Sequence, residues 1–95
     1  RKLLIKRLLQ QISVCFDTET TSLNTFKAEL VGISFSYEKG KGYYVSLPED
    51  RTEVLAILED FKSFFANENI EKIGQNLKYD IKVLKNYDIE VKGKQ

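Results

Sequence analysis

Two periods of hydrophobic and polar positions alternate along the chain. Leucine and isoleucine at positions 3, 4, 5, 8 and 9, with basic residues between them, predict a short helix over residues 2–10 with one apolar side. That side is expected to pack on a sheet or a neighbouring domain. The run Val14-Cys15-Phe16 predicts a buried strand over 13–17. A period-two pattern follows at 30–37, with Val31, Ile33, Phe35 and Tyr37 on one face and Gly32, Ser34 and Ser36 on the other. Residues 38–42 carry two glycines and predict a turn, so the strand at 43–47 closes an antiparallel meander.

Pro48 stops that strand, and Asp50 or Thr52 is placed to cap a helix. Val54, Ile57, Leu58, Phe61, Phe64 and Phe65 follow at helical spacing, an aromatic stripe that reads as core. Asn67-Glu68-Asn69 ends it, and 72–75 predicts a short strand. Asn76 is expected to cap a last helix reaching about residue 86, with Leu77, Ile81 and Leu84 inward and Lys78, Lys82 and Lys85 in water. A meander followed by helix, strand and helix predicts an α/β domain over 1–95 with a mixed sheet and flanking helices. The apolar side of the last helix implies a βαβ crossover to a further strand. The fold therefore reads as cut before its last strands and helices, with an open sheet edge that favours self-association.

Composition changes this picture little. Ninety-five residues, 42% of them hydrophobic, suit one modest core. A net charge of +1 gives no basic field, so any nucleic-acid contact has to come from a local site. The single cysteine, Cys15, excludes an internal disulfide and is expected to be a buried apolar residue in a reducing, cytoplasmic setting. No run has the length of a transmembrane helix, so no membrane partner is expected. The chain opens on Arg1 and contains no methionine, which is the expectation for a piece of a longer polypeptide.

The chemistry concentrates at Phe16-Asp17-Thr18-Glu19-Thr20-Thr21. Side chains alternate along a strand, so Asp17 and Glu19 point the same way at its end. Two neighbouring carboxylates repel, and hard oxygen donors of this kind select Mg²⁺ or Mn²⁺. A second Asp-x-Glu, Asp88-Ile89-Glu90, has no buried strand before it and reads as a solvated turn in a lysine-rich tail. A further constellation, Ile73-Gly74-Gln75-Asn76-Leu77-Lys78-Tyr79-Asp80, sets Asp80 in the first turn of a helix, where the dipole favours a carboxylate. Asn76 and Asp80 share a helical face.

These two segments carry a specific resemblance. Residues 16–23 followed by Glu29-Leu30-Val31-Gly32-Ile33-Ser34-Phe35-Ser36 resemble the first motif of the 3′-5′ proofreading exonuclease domain of bacterial family A DNA polymerases. Residues 73–84 resemble the second, and the likeness runs over essentially the whole chain. The resemblance implies an RNase H-like fold of the DEDD exonuclease superfamily. It further implies two divalent cations, Mg²⁺ or Mn²⁺, held by Asp17, Glu19 and Asp80 as the catalytic carboxylates. Asp17 would bridge both cations, Glu19 would orient the attacking water, and Asp80 would hold the second cation. Thr18, Leu23, Asn76 and Tyr79 would bind substrate: Leu23 as a wedge between the last bases, Asn76 at the terminal nucleotide, and Tyr79 by stacking. Packing, capping and core roles account for Leu23, Asn76 and Tyr79 equally well.

The partners so implied are the 3′ end of single-stranded DNA and a polymerase domain in the same polypeptide, in the bacterial cytoplasm at the nucleoid. The family's third motif, Tyr-x-x-x-Asp, is absent: Tyr37, Tyr43, Tyr44, Tyr79 and Tyr87 are followed four places on by Lys41, Leu47, Pro48, Val83 and Val91. The 95 residues alone are therefore expected to trim DNA weakly or not at all. Two alternatives stand beside this reading, a non-catalytic scaffold domain of a family A polymerase and a related ribonuclease that trims RNA.

Overall fold

The computed structural model describes residues 1–22 and 28–95. Its elements are α1 (Lys2–Leu8), β1 (Ser13–Thr20), β2 (Leu30–Glu38), β3 (Lys41–Ser46), α2 (Arg51–Phe65), β4 (Glu71–Ile73) and α3 (Leu77–Lys85). One sheet has the order β3-β2-β1-β4. The pairs β1–β2 and β2–β3 are antiparallel, as expected of the meander, while β4 joins β1 in parallel. The sheet is therefore mixed, as the element pattern predicts. No helix among the described residues is long and apolar enough to cross a membrane.

Alternation along the strands decides which face is covered. Val14, Phe16, Ile33 and Phe35 are buried on one face. There Phe35 stacks on Phe61 of α2 with ring centroids 5.4 Å apart, and Phe16 meets Phe65 edge-on at 5.2 Å. The α2 stripe is core, with Val54, Leu58, Phe61, Phe64 and Phe65 all buried. Asp50 caps this helix by accepting from the Thr52 N–H at 3.0 Å. Asn76 occupies the corresponding position of α3 but makes no side-chain cap bond, contrary to expectation.

Two strand residues depart from the sequence reading. Cys15 is exposed, because β1 is covered on one face only and Cys15 alternates with the buried Val14 and Phe16. Val31 is exposed as well. Thr20 pairs with Leu30 and Glu19 with Gly32, so Val31 is the extra residue of a bulge and turns away from the core that Ile33 and Phe35 enter. The acidic pair also sits inside β1 rather than at its end, since the strand runs on to Thr20.

The segment after α3 is docked, not free. Asp88 and Glu90 are exposed and Asp88 adopts a positive φ of 61°, as suits a turn, but Ile89 and Val91 are buried. The Lys92 N–H donates to the Phe65 carbonyl and the Lys72 N–H to the Lys94 carbonyl, each at 2.8 Å, which lays this segment beside β4. Lys72 is itself fully buried and donates its Nζ to the carbonyls of Asn67 at 2.5 Å and Lys92 at 2.6 Å. Burial lowers its ammonium to about 8.

Candidate active site

The N-terminal end of α3 reaches β1 because Gly74 precedes it. A Cβ at Gly74 would stand 2.9 Å from the Phe16 carbonyl, so only glycine lets the loop approach so closely. That approach delivers Asp80, in the first turn of α3, against the acidic strand. Oδ1 of Asp80 accepts from the Thr18 N–H at 3.1 Å and from Thr18 Oγ1 at 2.6 Å. Thr18 lies between the two acids in sequence, so 62 residues of chain close on the centre of the Asp-x-Glu motif.

Asp80 is 3% exposed, and its second oxygen, Oδ2, is buried with no hydrogen-bond partner. Burial raises its carboxyl above the ordinary 3.8, the Thr18 hydroxyl and N–H pull it back, and the nearby Asp17 charge raises it again. An anionic oxygen left unsatisfied in a buried place is costly, and an opposite charge relieves it. The donor set thus fits a hard cation.

A cleft of about 510 Å³ is lined by Asp17, Thr18, Glu19, Thr20, Val31, Gln75, Asn76, Tyr79 and Asp80. The expected acids thus share one cleft, approached from two directions. Asp17 and Glu19 project from the open face of β1, whereas Asp80 comes from the helix side with Thr18. Among the described residues, no three Asp, Glu, His or Cys side chains are already gathered in the geometry of a metal cage.

The other expected residues take distinct places. The Tyr79 hydroxyl donates to the Ser22 carbonyl at 2.6 Å and lies 2.6 Å from Thr20 Oγ1, so its phenol is tied to the end of β1. Asn76 is exposed at the cleft wall. Leu23 lies outside the described residues.

One participant was missed by sequence reasoning. Tyr44 of β3 donates its hydroxyl to Glu19 Oε2 at 3.1 Å, and desolvation together with the Glu19 charge raises its phenol above 10.0. The available signal was the strip of small residues on β2, Gly32 and Ser34, which leaves room for a large side chain beside it.

Comparison with known proteins gives a consistent result. A family model of DNA polymerase A type, described as 3′-5′ exonuclease, matches residues 2–94. DNA polymerase I of Borreliella burgdorferi is 39% identical over 87 residues, 87% of this chain and 9% of the relative. DNA polymerase I of Pseudomonas aeruginosa is 35% identical over 88 residues, 86% of this chain and 10% of the relative. The chain spans about a tenth of the length of these curated relatives. Among solved structures, the EXD2 exonuclease domain soaked in Mg and GMP superposes with a TM-score of 0.71 at 23% identity, over 99% of this chain and 48% of that one. That likeness shows the fold: an RNase H-like mixed sheet with flanking helices.

Proposed function

The chain belongs to the 3′-5′ exonuclease family of DNA polymerase A type, and from that premise we propose that it carries the first two acidic motifs of a proofreading nuclease. Its substrate is the 3′ end of single-stranded or mismatched DNA, delivered by a polymerase domain of the same polypeptide in the bacterial cytoplasm. Asp17, Glu19 and Asp80 would hold two divalent cations, Mg²⁺ or Mn²⁺. When bound, such ions lower the pKa of a water and neutralise the charge that develops on the scissile phosphate.

What the chain's own side chains contribute follows from their chemistry. Asp17 and Glu19 present acceptor-only oxygens from a rigid strand, the placement that fixes donors best. Thr18 holds Asp80 by one oxygen and leaves the other for a cation. Tyr79 anchors Ser22 and Thr20, fixing where β1 hands over to the cleft rim. Asn76, exposed at the cleft wall, is proposed to meet a terminal nucleotide, and Leu23 to act as the wedge between bases. No histidine and no placed thiolate is needed, because water is the nucleophile.

The observation that carries this reading is the buried, unpartnered Oδ2 of Asp80 beside the Asp17-Thr18-Glu19 segment. Mn²⁺ binding to the chain, read by electron paramagnetic resonance, tests it. Asp17→Asn and Asp80→Asn are each expected to weaken binding at least tenfold. Equal affinity in wild type and both variants refutes the cation role.

Pairing between copies has one free route among the described residues. The β4 edge is flanked by the docked C-terminal segment, so association uses the edge of β3. Sedimentation at rising concentration tests this: a Ser46→Pro variant, which removes an N–H that faces away from β2 and leaves the β2–β3 bonds in place, is expected to remove any dimer that forms.

A further inference from the structure

Glu19 is reached from two strands away. Neighbouring strands lie about 4.8 Å apart, so a side chain on β3 touches β1 only by lying flat across β2. The register shows how Tyr44 does so. Tyr44 pairs with Ser34, and Ser34 pairs with Asp17, while Glu19 pairs with Gly32. The phenol leans diagonally from its own row across Gly32 to the next one. A Cβ at Gly32 would overlap the Tyr44 hydroxyl and Cζ and lie 2.7 Å from Cε1. No φ in the left-handed region calls for glycine at position 32. The requirement there is space, and the occupant of that space is Tyr44.

We propose that Tyr44 is a positioning residue for Glu19, and that Gly32 is the notch through which it acts. A glutamate on an open sheet face samples several rotamers, and ordering it costs side-chain entropy. The 3.1 Å bond from the Tyr44 hydroxyl to Oε2 selects one of them and uses only one of the two carboxylate oxygens. Because Tyr44 is 53% exposed, its ring adds little to the core, so its hydroxyl is the part with a job. That Glu19 holds a cation rests on the functional reading above; the Tyr44 contact does not.

Two measurements separate the two ideas. In the metal-free chain, carbon-13 labelled glutamate reports the rotamer averaging of Glu19 through its three-bond couplings. Wild type is expected to show one dominant rotamer, and Tyr44→Phe to show averaging. Gly32→Ala, which alters neither partner, is expected to give the same averaging by evicting the phenol. The double variant should be no worse than either alone. In the second measurement, Mn²⁺ affinity should fall about 3- to 10-fold in both single variants, the range for one lost hydrogen bond.

Unchanged Glu19 averaging in Tyr44→Phe overturns the positioning role, whatever the metal does. A fixed Glu19 that Tyr44→Phe releases, in a chain that binds no Mn²⁺, upholds the positioning role and sinks the cation reading instead.

Discussion

Thr18→Val isolates the contact that joins α3 to the acidic strand. Valine keeps the β-branched shape that a strand favours and the volume of threonine, but removes the hydroxyl. The backbone N–H bond to Asp80 at 3.1 Å survives, while the 2.6 Å bond from Oγ1 is lost. A hydrogen bond to a charged group contributes roughly 1.5–3 kcal/mol, and the added methyl at a half-buried site returns a few tenths of that. The expected net cost is about 2 kcal/mol at neutral pH. For a domain of this size that corresponds to a fall in Tm of about 8–16 °C. Urea titration of both proteins reads the difference directly.

The pH dependence sharpens this test. Asp80 is raised above 3.8 in the fold, so between 3.8 and its folded value the folded chain holds a proton that the unfolded chain has released. Stability of the metal-free chain therefore declines as pH climbs through that window and is level above it. The Thr18 hydroxyl opposes the rise, so its removal should extend the decline to higher pH. A cost below about 0.5 kcal/mol, or a window that does not move, refutes the assigned contact.

Three further outcomes are expected. Phe35→Ala removes the ring that stacks on Phe61 and should cost about 3–5 kcal/mol by denaturant titration. Lys72 titrates near 8 in the fold, so between 8 and 10.5 the unfolded chain binds the extra proton and stability should rise with pH; Lys72→Met should flatten that rise in thermal melts. Tyr79→Phe removes one of two hydroxyl donors to the Ser22 carbonyl, the Thr20 hydroxyl remaining at 2.8 Å, and should cost about 1 kcal/mol, with faster amide hydrogen exchange at Thr21, whose N–H bonds the Glu29 carbonyl.

The placement of the three acids on their elements was legible because its information is local. Strand alternation puts Asp17 and Glu19 on one face, and a helix start places Asp80 in a first turn, whatever the rest of the chain does. What was misread depends on distant partners. Cys15 was assigned to the core because a hydrophobic run does not state how many faces of a strand are covered. Val31 matched the period of Ile33 and Phe35, and only a pairing shift against β1 turned it outward. Ile89 carries no periodic signal, and its burial follows from the bonds that dock the segment against α2 and β4. The Tyr44–Glu19 contact spans 25 positions and three strands, and no spacing rule encodes it.

The alternation of acids and hydrophobics along β1 bears on how the chain avoids folding wrongly. A one-residue slip of β1 would turn Asp17 and Glu19 inward among the phenylalanines and push Val14 and Phe16 into water. Such a mispaired sheet is penalised at four positions together, which disfavours it against the native register. The two carboxylates thus also weigh against misalignment of their own strand.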